Sequence, residues 1–394
     1  MRLKDVVILR NEKTTDTSRP YIALENIISW DAKYIESSIE TEGTNSVFKP
    51  NDILFGKLRP YLAKGFIPSY EGICSTEFFV LKAKKGYYTQ YLLYLLLSHS
   101  FIDYIKNQVA GVKMPRTNWE TFSSIEVSIP SLQVQQRIVE YLDAKTTEID
   151  KKIELLGKKR DAYKRLKIAT INHAVIRGLD EHVKLKDTDI DWIGEIPVHW
   201  ETRRIKDEVE VNKLTLTEAT SPMYKFRYID ISNVSSEGVI SFIEEVYFYE
   251  APSRARRIVQ KGDIIVSTVR TYLKSIGMID FDAKDVVVST GFAVLSPIKS
   301  YSKYFYYLLR SNHLIDEICA LSSGVSYPAI AATRIESINI PVPPLEEQKQ
   351  IAAYLDECCV KIDAAVTIIG KQIDALKRLK RSLINEVVTG KRMV

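Results

Sequence analysis

One long stretch of this chain occurs twice, and that repeat limits every fold the chain can adopt. PSLQVQQRIVEYLDAKTTEID, opening at Pro130, returns as PPLEEQKQIAAYLDECCVKID, opening at Pro343. Aligned without a gap, residues 88–175 and 301–388 are identical at 34 of 88 positions. The spacing is too wide for a solenoid unit, so the pattern describes a duplicated globular domain plus helix. Downstream of each opening proline the apolar residues fall three or four apart: Ile138, Leu142, Ile149, Ile153, Leu156, Tyr163 and Leu166, then Ile351, Leu355, Ile362, Val366, Ile369, Ile373, Leu376, Leu379 and Leu383. That spacing predicts a long helix with one apolar stripe. A helix of about 44 residues spans roughly 66 Å, too long for one small domain, and a single stripe needs a partner. Its duplicate is the obvious one, paired antiparallel as a coiled-coil spacer that would hold the two domains at opposite ends of a rod. Gly157 and Gly370 occupy the same interior place in the two helices. Either the helices approach closely there, or a tolerated glycine was inherited by both copies.

The expected layout is a domain over 1–131, a helix over 132–177, a linker over 178–195, a second domain over 196–344 and a second helix over 345–390. The fold class is α+β, two similar α+β domains in a pseudo-twofold repeat. In the first domain VVIL at 6–9, DILFG at 52–56, FFVLKA at 78–83 and IEVSIP at 125–130 read as strands, and residues 88–105 read as one amphipathic helix. The second domain repeats the first in looser register. Leu3-Lys4-Asp5 answers Ile205-Lys206-Asp207, Tyr21-Ile22 answers Tyr228-Ile229, Asp52-Ile53 answers Asp263-Ile264, and Ser75-Thr76 answers Ser289-Thr290. The lead-in WIGEIPVHWE at 192–201 has no counterpart before the first domain. No apolar run approaches the roughly 18 residues of a membrane span, and MRLKDVVILR is no secretory signal. Cys74, Cys319, Cys358 and Cys359 show no metal-ligand spacing, which fits reduced thiols in the cytoplasm. A net charge of +5 is compatible with nucleic acid and no more than that.

No catalytic set emerges. There is no glycine-rich phosphate loop, no Asn-Pro-Pro-aromatic or Asp-Pro-Pro-aromatic segment, and no histidine that recurs in both halves. Glu347-Gln348-Lys349 resembles the end of a nuclease motif, but its counterpart is Val134-Gln135-Gln136, so Glu347 reads as an acid favoured by the helix dipole. What does recur is positive charge beside aromatics: KLRPYLAK at 57–64 matches TVRTYLKS at 268–275, so Arg59 with Tyr61 and Arg270 with Tyr272 keep one spacing. Arginine can bond phosphate or read guanine with two bonds, and tyrosine can pack on sugar. An ion pair inside the domain is the bland alternative. Gly111-Val112 and Pro115 recur as Gly324-Val325 and Pro328, yet Lys113, Met114 and Arg116 give way to Ser326, Tyr327 and Ala329. The tracts 29–46 and 235–259 also diverge, the latter placing Arg254, Arg256 and Arg257 in one loop. Drift of exposed loops, or one framework carrying two recognition surfaces, would each produce this. The basic runs KKRDAYKRLK at 158–167 and LKRLKR at 376–381 read first as solvated helix faces.

Taken together, these features resemble the DNA-specificity (S) subunit of type I restriction–modification systems, over essentially the whole chain. The resemblance is carried by the helix starts Pro130, Leu132, Gln135 and Pro343, Leu345, Gln348, by the tract GEIPVHW, and by the paired Asp-Ile and Arg-x-Tyr-Leu segments. It implies two target-recognition domains, each reading one half of a bipartite, asymmetric double-stranded DNA site. It also implies paired helices that space the domains and dock two methyltransferase (modification) subunits, which a translocating restriction subunit can join. The chain itself would be non-catalytic and bind no cofactor or membrane, with S-adenosylmethionine held by the methyltransferase partners. One departure, the missing first lead-in, leaves the edge of the first domain open. Recognition residues of the family do not transfer by motif, so the DNA-contact candidates rest on charge and repeat comparison. They are Lys57, Arg59, Tyr61, Lys64, Lys113 and Arg116 in the first half, and Arg254, Arg256, Arg257, Arg270, Tyr272, Lys274, Ser326 and Tyr327 in the second. The alternative of another class is a coiled-coil adaptor whose end domains bind proteins.

Overall fold

A computed structural model describes residues 1–37, 39, 41–108, 114–241, 244–324 and 327–394. The chain forms two compact units, unit 1 from residues 1–158 and 369–394 and unit 2 from residues 159–368. The fold is α+β, and both units are built around one short, wholly buried strand. In unit 1 it is Ile53–Gly56, buried along its length. Successive side chains of a strand point to opposite faces, so Ile53 and Phe55 enter the larger, helix-covered core while Leu54 enters a smaller core with Ile22, Phe48 and Cys74. Unit 2 repeats this with Ile264 and Val266 on one side and Ile265 on the other. A run with no polar alternation is what burial on both faces requires.

The first sheet of unit 1 has the order Val7–Leu9, Phe78–Ala83, Ile53–Gly56, Gly65–Phe66, all antiparallel. That of unit 2 is Val209–Val211, Phe292–Pro297, Ile264–Ser267, Ile276–Met278. Each unit carries a second sheet with one parallel pair, Tyr21–Ile22 with Gly72–Cys74 in unit 1 and Lys225–Ile229 with Val286–Ser289 in unit 2. Unit 2 adds an edge strand, Glu244–Tyr247, against Lys225–Ile229.

The single helix expected over 88–105 is two helices, Thr89–Leu96 and His99–Gln108. Ser98 makes the break: its hydroxyl donates to the Leu95 carbonyl at 2.7 Å and accepts from the Phe101 N–H at 3.4 Å, so it ends one helix and caps the next. Ser311 does the same in unit 2, with the Leu308 carbonyl and the Leu314 N–H. The segment 125–130 is not a strand either. Its counterpart Asn339–Val342 pairs along four residues with Glu201–Arg204, whereas here an isolated Arg2–Glu126 bridge forms, flanked by two bonds between Met1 and Val127 and one from the Leu3 N–H to the Ile125 carbonyl. In unit 2 the lead-in is part of the core: Ile193, Ile196 and Trp200 are buried. Residues 178–195 include a hairpin strand, Leu185–Asp187, paired with Glu195–Pro197. Gly178, at φ +77°, ends the preceding helix, and a side chain there would press on Trp200 at 3.2 Å.

The long helices run Leu132–Arg177 and Leu345–Val388, and each contributes a stretch to both units. Inside each unit the two stretches run antiparallel. In unit 1 Arg392 reaches Tyr141 and Lys380 reaches Asp150. In unit 2 Lys167 reaches Asp363 while Glu347 lies beside Gly178. The repeated helix start has a mechanical explanation. Gln135 is buried, donates from Nε2 to the Pro130 carbonyl at 2.9 Å and accepts the Tyr88 N–H at 2.8 Å. Gln348 does likewise with Pro343 (2.9 Å) and Tyr301 (2.7 Å). The motif therefore latches each long helix to the start of a helix of the same domain, Thr89–Leu96 or Ser302–Leu309.

Two expectations about these helices need correction, and one open choice is closed. Leu166 and Leu379 are 52% and 55% exposed, because the next residue, Lys167 or Lys380, takes the inward position, and consecutive helical residues are about 100° apart. A Cβ on Gly157 or Gly370 would meet nothing within 4 Å, so no close backbone approach explains them. Lys380, assigned to a solvated basic face, is only 7% exposed and hydrogen-bonds Asp31 and Asp150. Among the described residues, no helix is long and apolar enough to cross a membrane.

Candidate nucleic-acid interface

Arg59 and Arg270 sit at one structural position. Each has left-handed backbone, φ 49° and 50°, and each opens a single tight turn, Pro60–Leu62 or Thr271–Leu273, that closes on a second left-handed residue, Ala63 or Lys274. Left-handed conformation in a residue with a side chain costs about 1–2 kcal/mol, so four such residues at matched places need a compensating hold. The hold is the divergent loop. The Arg59 N–H donates to the Pro115 carbonyl at 2.7 Å, and the Arg270 N–H to that of Pro328 at 2.7 Å. Beside these bonds Leu58 bridges Arg116, and Val269 bridges Ala329. The repeated Arg-x-Tyr turn and the loop that differs between halves are thus docked on each other in both units. Arg59, Tyr61, Arg270 and Tyr272 are all exposed. Among the described residues, neither Arg59 nor Arg270 forms an ion pair.

The two surfaces differ where the sequence differs. In unit 1 Arg116 pairs with Glu77 at 2.6 Å, and Met114 is exposed beside it. In unit 2 glycine and alanine, Gly291 and Ala329, stand at the places of Glu77 and Arg116. There Tyr327 projects, 66% exposed, with the Arg270 guanidinium over its ring at 4.5 Å. Unit 2 also has its own ion pair, Arg254 to Asp230 at 2.5 Å, and the hydrogen bond to that carboxylate holds the guanidinium pKa above its usual value. Arg254 reaches this corner because its carbonyl accepts the Thr290 N–H, next to Gly291, which accepts both the N–H and the hydroxyl of Thr268. A cleft of about 680 Å³ beside Arg270 and Tyr327 is walled by Ile231, Val234 and Leu273.

Other candidates turn inward. Lys57 lies over the Phe79 ring at 5.6 Å, and its burial lowers its pKa. Lys64 donates to the Leu24 carbonyl at 2.6 Å, and Lys274 to Asn312 at 3.1 Å. Arg256 and Arg257 are not in a loop but on the strand Ala255–Ile258. Arg256 stacks on Phe248 at 4.8 Å and reaches Glu218 at 3.4 Å, while Arg257 donates to Thr215 at 3.0 Å. Lys113 and Ser326 lie outside the described residues, as do Gly111, Val112 and Val325. Charge and spacing could not reveal Glu77 and Asp230, the carboxylates that orient Arg116 and Arg254, because each arrives from a distant strand or turn. Glu347, at the helix start, lies 2.8 Å from His199 Nε2 and accepts from it when that nitrogen carries the proton. Among the described residues no group of three or more His, Cys, Asp or Glu is placed to hold a metal ion.

Comparisons with known proteins bear on this geometry. Residues 1–158 and 197–378 match the family described as type I restriction modification DNA specificity domain. The type I restriction enzyme MjaVIII specificity subunit of Methanocaldococcus jannaschii is 26% identical over 82% of this chain and 74% of its own length. The putative type I restriction enzyme MjaX specificity subunit of the same organism is 24% identical over 99% of this chain and 92% of its own. Among solved structures, a chain from work on complex assembly and conformational transition of the type I R-M system superposes with a TM-score of 0.74 at 20% identity, covering 98% of this chain and 96% of that one. The HsdS subunit from Thermoanaerobacter tengcongensis gives 0.54 at 20% identity, covering 100% and 96%.

Proposed function

This chain belongs to the type I restriction-modification DNA specificity family, and on that premise we propose that each unit reads one half of a bipartite double-stranded DNA site. The surfaces that face the duplex are those around Arg59 in unit 1 and Arg270 in unit 2. The observation that carries this is the pair of exposed arginines on left-handed turns, in no ion pair among the described residues, each pinned to a loop that differs between the halves. A cation that is the same in both halves suits phosphate, which is the same everywhere along DNA; side chains that differ suit base edges. Arg59 and Arg270 therefore position, while Met114 and Arg116 in one unit and Tyr327 in the other discriminate. The long helices dock two methyltransferase subunits, which supply S-adenosylmethionine, and a restriction subunit joins that assembly in the cytoplasm.

Mapping methylated adenines in cells with and without the gene gives the site to use as probe. Binding of the assembled complex to that duplex is then measured across salt concentrations. Arg59→Ala or Arg270→Ala should weaken binding to all sequences alike and reduce the salt slope by about 1. Arg116→Ala should relax one half-site by about 1–3 kcal/mol and leave the other unchanged. Binding insensitive to salt, or to both arginines, would overturn the assignment and leave a protein-binding adaptor as the better account.

A further inference from the structure

In unit 1 the loop at residues 29–33 ties the Arg59 turn to the long helices. Arg381 of the C-terminal helix places its guanidinium over the Trp30 ring at 4.9 Å, and Lys380 beside it bonds Asp31. Lys380 also meets Asp150 of the other long helix at 2.8 Å, and Lys33 returns to Asp150 at 2.7 Å. The Trp30 ring packs against His99 at 4.9 Å between centroids. From this clamp the Trp30 N–H donates at 3.0 Å to the carbonyl of Ala63, the fully buried left-handed residue on which the Arg59 turn closes. Trp30 and Ala32 are themselves left-handed, φ 66° and 52°, so the loop is held in a form it would not keep unaided.

Unit 2 relies on a link whose helix end unit 1 also has, where the Ser100 N–H donates to Asn385, the repeat counterpart of Asn172, at 2.9 Å. Its turn closes on Lys274, whose ammonium donates to Asn312, whose N–H in turn donates to Asn172 of the central helix at 2.9 Å. Among the described residues, no aromatic of the divergent tract takes part. We infer that Trp30, held by Arg381 and Lys380, is a positioning residue for Arg59, so that reading of the first half-site depends on how the two helices are packed in unit 1. This rests on the proposed DNA-reading role of Arg59 only for its consequence; the mechanical link can be tested without DNA.

The test uses the full chain and the variants Trp30→Ala, Trp30→Phe and Lys380→Met, with Arg59→Ala as reference. Hydrogen exchange is followed at residues 59–64 and 270–274. Trp30→Ala and Lys380→Met should speed exchange at 59–64 and leave 270–274 unchanged, with Trp30→Phe near wild type. Binding to duplexes that retain only the first or only the second half-site should fall about tenfold for the first alone. Unchanged exchange at 59–64, or equal losses on both half-sites, overturns the inference. If Arg59→Ala leaves DNA affinity intact while exchange responds as expected, the mechanical link stands and the DNA role of that turn falls.

Discussion

Lys167 and Lys380 occupy the same place in the two repeated helices, and each pairs with the same partner, Asp363 or Asp150, yet their surroundings are unlike. The Lys380 side chain is 9% exposed and its partner 24%; for Lys167 and Asp363 the values are 24% and 58%. The cover over Lys380 is the loop 29–33, drawn from a tract that diverges between the halves. A shared ion pair was thus turned into a buried cluster in one unit by a neighbour the other unit lacks. The same lesson appears at the buried aspartates Asp52 and Asp263. Arg10 reaches Asp52 at 2.7 Å, and that bond raises its own pKa. The residue in Arg10's place in unit 2 is Asn212, which bonds Val294 instead. With Lys213 acting only from a distance, burial pushes the Asp263 carboxyl up, against the pull of the Gln260 N–H.

The sharpest way to break this comparison is to remove each lysine. Lys380→Ala leaves Asp31 and Asp150 under cover with only the half-exposed Lys33 between them and should cost about 3 kcal/mol, whereas Lys167→Ala should cost about 0–1 kcal/mol. Urea unfolding followed by hydrogen exchange in each unit reads both, and equal losses would show that the loop cover is energetically idle. Next in size, Gln135→Ala and Gln348→Ala should each cost about 2 kcal/mol, by stranding a buried proline carbonyl and an N–H. Here the two units should agree. Asp52→Asn, which leaves Arg10 without its partner, should cost about 1–3 kcal/mol, while Asp263→Asn should fall within about 0.5 kcal/mol of neutral. Thermal melting of the two variants checks the difference.

The smallest effect is in pH. Burial opposes ionisation of Asp150, but its bonds to Lys33 and Lys380 outweigh that and hold its carboxyl below the ordinary value. Its contribution to unit 1 is full above the ordinary carboxylate range and is lost as pH falls through the lowered value. Asp263, raised, acts in the opposite sense. As pH falls from its raised value to the ordinary one, the folded unit 2 takes up the proton first and gains stability. Exchange measured at a series of acid pH values should therefore show unit 2 gaining before unit 1 begins to lose, and Asp263→Asn should abolish the gain.

Much of the scaffold was legible in the sequence. The strand at 53–56, the strand at 78–83 and both long helices were readable because period and composition report burial directly. The helix break at Ser98 was missed because amphipathic spacing continues across it, and only the hydroxyl's two bonds reveal the stop. The segment 125–130 reads as a strand from its alternation alone, but a strand needs a neighbour, and unit 1 supplies only Met1–Leu3, beside residues 125–127. At the interface, the matched spacing of Arg59 with Tyr61 and Arg270 with Tyr272 was visible. Their left-handed backbones were not, since arginine in that conformation runs against local preference and is sustained by bonds to Pro115 and Pro328.

By itself, the sequence determined that one domain and one helix were made twice, because identities at matched spacing record a common fold whatever its contacts are. Tertiary structure alone decided which copy of a repeated residue would be buried. Lys380 and Asp31 are 349 residues apart along the chain, and the energy of a charge depends on what stands within a few ångströms of it, which no local pattern specifies.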